Sequence, residues 1–203
     1  MIWLYDFVHV FKLIRNHFLD DVIKLPCDNI VCVDDFWDLL IVVQAEISDG
    51  YHLTEDHLLI SGNDRQSVKL CCQLMSDRTS ALLKEHFPND KVKHALADAI
   101  GLIAICYKIM TSRSIYDKTD KWRYSLRENW KEQKDKLLEL RDFMINSIFA
   151  ANCFQEGCII TINGILDLHL NLKANFDLPR LMTSHCDQDY VEAAFKDIRG
   201  DSR

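Results

Sequence analysis

Apolar side chains recur at steps of three and four residues along most of the chain, which is the period of an amphipathic helix. This pattern predicts helices over residues 8–19, 35–47, 67–87, 90–113, 122–151 and 155–175. A further helix is predicted from Asp187, a typical N-cap residue, to Ile198, and Gly200 ends it. The pattern therefore indicates a mainly α protein.

Strand signals are confined to the start of the chain. Residues 2–6 form a short apolar run that closes on Asp6, as when a buried strand delivers an acid to the edge of a sheet. Residues 29–33 predict a second short strand. Residues 48–66 contain Asp-Gly and Ser-Gly-Asn-Asp, which predict an irregular connector.

Composition and charge narrow the classes of partner. The 203 residues are 48% hydrophobic and 27% charged, enough to bury a core. The net charge is −7, and residues 1–64 hold 12 acidic against 3 basic side chains. No basic stripe stands out, so we expect weak or no DNA binding by this chain alone. There is no signal peptide and no long apolar span, so we expect a protein that is not secreted, with the cytoplasm as one location, and that has no membrane partner.

The eight cysteines do not favour a zinc site. The pairs Cys27/Cys32 and Cys153/Cys158 are each separated by four residues, without an accompanying His motif. We expect reduced cysteines that behave as small hydrophobic residues.

A motif near the start carries candidate chemistry. The segment Asp6–Asn16 reads D-x-x-H-x-x-K-x-x-R-N. It resembles the segment around the second catalytic aspartate of P-element and THAP-domain DNA transposases. In that family the aspartate ends a strand of a ribonuclease-H-like fold, and a helix follows at once.

Further segments resemble the same family in the same order. Ser67–Ser76 is similar to its K-V-x-L-A-A-Q-x-x-S helix, and residues 154–165 are similar to a later segment. Leu181–Gly200 is similar to the block that supplies the catalytic glutamate, which places that residue at Glu192. Several blocks in one order are more specific than any of them alone.

The resemblance implies a partial ribonuclease-H-like α/β core interrupted by a large helical insertion domain. Residues 1–34 would contribute the strand and helix at the second aspartate. Residues 35–178 would form the insertion, which binds GTP in the family, and residues 179–203 the C-terminal helix with the glutamate.

The implied chemistry is Mg²⁺-dependent DNA cleavage and joining, in which carboxylates hold metal ions about the reacting phosphate. The resemblance makes Asp6 and Glu192 the catalytic and metal-binding residues. No residue of this sequence matches the first aspartate of the family, so we expect the chain to be catalytically incomplete.

The resemblance also implies nucleotide contacts, of which Val68 and Asp189 are matched here. The family's F-D-x-x-N-S segment aligns with Tyr107–Ser112, where Lys108 replaces the aspartate and Thr111 the asparagine. An ammonium group cannot accept hydrogen bonds from guanine, so we expect GTP binding to be weak or lost.

Ordinary structural roles stand beside these interpretations. By itself, Asp6 would be a helix N-cap and Glu192 a solvent-facing helical acid. His9, Lys12 and Arg15 share a helical face that would be a solvated polar surface, with contact to DNA phosphates as the alternative. The run Lys118–Arg141 mixes aromatic and basic residues, but interleaved acids favour an exposed helix with ion pairs over a nucleic-acid surface.

Three functions remain open. The chain is an inactive fragment or domesticated remnant of a cut-and-paste transposase, an active transposase whose upstream exons are missing, or a helical module that the host reuses. The third function would involve a host protein partner or a homo-oligomer.

Overall fold

The computed structural model describes residues 4–45, 53–114, 119–126, 130–151, 153–177 and 180–186. These residues are mainly helical, as the apolar periodicity predicts. The helices are α1 (Phe7–Asp20), α2 (Val33–Ala45), α3 (Val68–Leu74), α4 (Asp77–His86), α5 (Lys91–Met110), α6 (Trp130–Asn146) and α7 (Cys153–Phe176). Two short strands, β1 (Ile23–Lys24) and β2 (Ile30–Val31), pair antiparallel. None of the described helices is long and apolar enough to cross a membrane.

The predicted opening strand is not found where residues are described. Leu4, Tyr5 and Asp6 precede α1 without strand pairing, and residues 1–3 lie outside the described part of the chain. The Tyr5 N–H donates instead to Thr161 Oγ1 of α7 at 2.9 Å. The backbone groups of a strand pair with those of a neighbouring strand, whereas here the Tyr5 N–H is satisfied by a side chain of α7.

The predicted second strand is present but shorter, since β2 covers only Ile30–Val31. Its partner β1 was not predicted. Lys24 of β1 also forms an isolated antiparallel bridge with Ile148, after the end of α6.

The long helix predicted over residues 67–87 is two helices. Ser76 accepts a hydrogen bond from the Thr79 N–H at 3.1 Å and so caps the start of α4. Met75, just before it, has ψ of 65°, outside the helical range. A serine N-cap therefore divides a segment whose apolar period runs on unbroken.

Helix α6 begins later than predicted. Residues Lys121–Arg123 form a 3₁₀ turn, and the Asp120 side chain accepts a hydrogen bond from the Trp122 N–H at 3.0 Å. The first described residue of α6 is Trp130, whose ring lies 4.0 Å from that of His169 on α7, between centroids.

One hydrophobic core runs through the described helices, and α5 lies at its centre between α4 and α6. It joins Phe11 and Ile14 of α1 to Ile100 and Ile103 of α5, all fully buried. The core thus includes residues on both sides of position 34, where the sequence predicts the boundary between the partial ribonuclease-H-like core and the helical insertion. The predicted C-terminal helix lies outside the described residues.

Candidate functional site

Asp6 caps α1. Its Oδ1 accepts a hydrogen bond from the Val8 N–H at 3.0 Å, and its carbonyl accepts the first helical bond, from the Val10 N–H at 3.0 Å. The carboxylate is half-buried. Asp6 therefore has the structural role of a helix N-cap, and its Oδ2 accepts no hydrogen bond from the described residues.

The described residues alone do not fit a metal ion. No group of three or more His, Cys, Asp or Glu side chains among them could hold one. Glu192, the other expected ligand, lies outside the described part of the chain, as does Asp189. The roles of Asp6 and Glu192 in metal binding remain predictions.

The cysteines divide by burial. Cys71, Cys106 and Cys158 are buried, whereas Cys27 and Cys153 are exposed. Burial raises the pKa of Cys158 to about 12, so this thiol stays protonated and packs as a small hydrophobic side chain.

Arg15 is not part of a solvated face, and that expectation was wrong. Its side chain is fully buried. Nε donates to Asn16 Oδ1 at 2.7 Å, and Nη2 donates to the carbonyls of Asp64 and Arg65 at 3.2 and 2.9 Å. Arg15 therefore ties α1 to the turn that leads into α3.

A second contact in the same region joins Arg65 to Asp20 in a half-exposed ion pair. The Asn16 amide also reaches the Arg65 carbonyl, at 3.5 Å. The last two residues of the motif, Arg15 and Asn16, thus hold the turn Gly62–Gln66 against α1.

Helix α3 lies within the segment Ser67–Ser76, and it packs directly on α1. Val68 is its first residue and is partly buried. Deeper in the interface, the Cys71 thiol donates to the Phe11 carbonyl at 3.6 Å. The Phe11 ring stacks on Tyr107 of α5, with centroids 4.1 Å apart.

Lys108 takes part in a charge cluster at the surface. It forms ion pairs with Asp77 at the start of α4 and with Asp120, the latter at 2.9 Å. Burial by itself would lower the pKa of Lys108, but the hydrogen bonds to both aspartates outweigh it and raise that pKa. Lys108 therefore stays charged, with two carboxylates facing it.

The neighbouring side chains are also used internally. The Thr111 hydroxyl donates to the Tyr107 carbonyl at 2.7 Å. The Ser112 N–H donates to Thr183 Oγ1 at 3.1 Å, and the Thr183 hydroxyl donates to the Ile109 carbonyl at 2.5 Å.

These bonds fix the turn Thr183–Cys186 beside the end of α5. The same turn contributes Thr183 and Cys186 to a small cavity whose other walls include Leu4, Tyr5 and Val8. The last described residues of the predicted glutamate segment thus lie next to the residues that flank Asp6.

The mixed run around α6 carries ion pairs, as predicted. They are Lys121–Glu132 at 2.9 Å, Lys136–Glu139 at 2.6 Å and Arg141–Asp142 at 3.1 Å.

Comparison with known proteins adds two similarities that span almost the whole chain. The transposable element P transposase of Drosophila melanogaster is 24% identical over 200 residues, which are 96% of this chain. The solved Drosophila P element transposase strand transfer complex matches 98% of the chain with a TM-score of 0.88 and 23% identity. The chain is homologous to the Drosophila P element transposase over nearly its whole length. No protein-family profile matches it.

The chain corresponds to only part of the P element transposase. It spans 27% of the length of the curated relative and 46% of the chain in the solved complex. The described helices have the fold of that part.

The role of Arg15 is the feature of the P-element-like motif that sequence reasoning missed. Arg15 lies four positions after Phe11 and three before Phe18, so it belongs to the apolar stripe of α1. That spacing predicts a buried guanidinium, whereas we interpreted its spacing from His9 and Lys12 as a polar face.

Proposed function

We propose that this chain is a fragment or domesticated remnant of a P-element-like cut-and-paste DNA transposase, in which Asp6 and Glu192 correspond to the second and third catalytic acids. The observation that carries the proposal is the alignment of 96% of the chain with the P element transposase. Within it, the segments around Asp6, Val68 and Glu192 occur in the order of the family.

The position of the turn Thr183–Cys186 supports a meeting of the two acids. Glu192 follows Cys186 by six positions, and six residues of helix extend about 9 Å. Because Cys186 shares a cavity with Tyr5 and Val8, a helix starting there could bring Glu192 to Asp6.

Catalysis by these 203 residues alone is not part of the proposal, because none of them matches the first aspartate of the family. DNA is the partner of the parent enzyme, whose solved relative is a strand transfer complex. With 12 acidic and 3 basic side chains in residues 1–64, this chain should bind DNA weakly or not at all by itself. A nuclear location follows from the same family.

A plasmid-nicking assay in Mg²⁺ tests catalytic incompleteness. The wild-type chain and the variants Asp6→Asn and Glu192→Gln should all give the same background nicking. Mg²⁺-dependent nicking by wild type that both variants abolish would overturn this part of the proposal and favour an active enzyme. Transcript sequencing across the 5′ end would then identify the missing exons.

We propose in addition that GTP binding is weak or lost. The supporting observation is that Lys108, which the sequence resemblance aligns with an aspartate of the family, is paired with Asp77 and Asp120. A guanine base would have to displace two ion pairs and would find no acceptor on Lys108.

A GTP titration tests this, with a reverted variant as the positive arm. Lys108→Asp with Thr111→Asn restores the family's residues, but by itself it would place a new carboxylate against Asp77 and Asp120. We therefore add Asp77→Asn to both arms. The reverted variant should bind GTP more tightly than its Asp77→Asn background, and tight binding by wild type would contradict the proposed loss.

A further inference from the structure

A large cleft lies between α5, α6 and the turn after β1. Its volume is about 760 Å³, within the range of natural binding clefts. Its apolar wall is formed by Leu25, Ala95, Leu102 and Phe143. We refer to it as the α5–α6 cleft. Asp6 and Val68, the described residues assigned above to catalysis and to nucleotide binding, do not line it.

Exposed aliphatic side chains occur near the residues that line the cleft in the sequence. Ile30 and Ile145 are 60% and 58% exposed, and each is adjacent in sequence to a residue that lines the cleft, Asn29 or Asn146. Ile148 is 62% exposed. Lys24 pairs with Ile30 on one side and with Ile148 on the other. Exposed aliphatic side chains on the elements that form a cleft favour a protein-binding site.

The rim of the cleft is acidic. Asp98, Glu139 and Asp142 line it and are exposed, and Lys91 is the only Lys or Arg in the described lining. The three acids form surface ion pairs with Lys84, Lys136 and Arg141, which do not line the cleft. Exposed pairs of this kind are weak, so the carboxylates stay available to a second cation on the cleft side.

We propose that the α5–α6 cleft is the docking site for a basic amphipathic helix of a protein partner. The apolar side chains on one face of that helix fill the cleft and cover Ile145, and its Lys or Arg residues pair with Glu139, Asp142 and Asp98. This is the helix-in-groove mode of recognition. The acidic rim disfavours DNA phosphates and anionic lipids.

The test is a ¹⁵N–¹H NMR titration with two designed helical peptides that have the same leucines at helical spacing. One peptide carries Lys on its polar face and the other carries Glu. The Lys peptide should shift amides of α5, α6 and the turn after β1, and the Glu peptide should bind at least about tenfold more weakly.

Matched charge reversals distinguish the cleft from general acidity. Glu139→Lys with Asp142→Lys should weaken the Lys peptide by roughly tenfold, since two favourable pairs become repulsive. The control, Glu156→Lys with Asp167→Lys, makes the same charge change at exposed positions of α7 outside the cleft and should leave the affinity within about twofold.

Three outcomes would overturn the proposal. They are no binding of the Lys peptide, equal binding of the Glu peptide, and equal weakening by the control reversal. Shifts of the cleft amides on addition of duplex DNA, or on raising the concentration of the chain alone, would also overturn it, because the occupant would then be a nucleic acid or a second copy.

Discussion

Replacing the buried Arg15 tests how the motif holds α1 to the turn before α3. In Arg15→Met the side chain keeps its approximate length but loses the bonds to Asn16 Oδ1 and to the carbonyls of Asp64 and Arg65. In Arg15→Lys the charge stays, but a single ammonium replaces the planar guanidinium, which donates both to Asn16 and to the two carbonyls.

Two opposing contributions determine how much each Arg15 variant lowers the free energy of unfolding. Hydrogen bonds from a charged donor contribute about 1.5–3 kcal/mol each. Arg15 donates through Nε to one side chain and through Nη2 to two carbonyls, which we count as two hydrogen bonds. Losing both would lower the free energy of unfolding by about 3–6 kcal/mol. Removing the charge recovers several kcal/mol of desolvation cost, which is the burial effect that lowers the pKa of Arg15. We expect Arg15→Met to cost about 2 kcal/mol. Arg15→Lys should cost about 3 kcal/mol, because it retains a buried charge with fewer partners.

Urea unfolding followed by circular dichroism measures these free energies, provided that the slopes agree among variants. Arg65→Ala is the matched control, since it breaks the half-exposed pair with Asp20 in the same turn and should cost at most about 1 kcal/mol. The reasoning is refuted if Arg15→Met is within about 0.5 kcal/mol of wild type, or if Lys is tolerated better than Met.

Two further predictions concern the helices. Ser76→Ala removes the cap of α4 and should cost about 1 kcal/mol in urea unfolding, whereas Ser61→Ala, at an exposed serine without a capping bond, should cost almost nothing; equal effects would contradict the capping role. Burial of His169, together with the charge of Lys173, lowers the pKa of His169 in the folded state. The neutral imidazole therefore contributes to the free energy of unfolding above its ordinary pKa of about 6.5, and this contribution is lost as the pH falls through the lowered pKa. His169→Gln should therefore lose less stability than wild type between pH 7.5 and pH 5, and an identical loss would show that His169 does not titrate in this way.

Helix positions could be predicted from the sequence where an apolar stripe and its flanking signals agree. Helix α5 is an example, since Asp90 caps it as a typical N-cap residue and its stripe is buried along its length. The break between α3 and α4 was missed because Leu74 and Met75 continue the apolar period, and only the cap at Ser76 marks the boundary.

The strands could not be predicted as well, because a strand depends on a partner elsewhere in the chain. The apolar run before Asp6 has the composition of a strand, yet its Tyr5 backbone is hydrogen-bonded by Thr161, which is 156 positions away. No local pattern encodes that contact.

The candidate site was predicted in part. The start of α1 at Asp6 and the order of the family's segments followed from the sequence, and the homology confirms the family resemblance. The anchoring role of Arg15 and the two aspartates around Lys108 depend on tertiary packing. The roles of Glu192 and Asp189 stay predictions.

The distance between the carboxyl groups of Asp6 and Glu192, measured in a crystal structure of residues 1–203, is the most direct test of the proposed descent from a transposase. If the two acids once held a shared metal ion, their carboxylate oxygens should lie about 4–8 Å apart, given Mg–O distances near 2 Å. Carboxylates on opposite faces of the molecule would contradict the assignment of both residues.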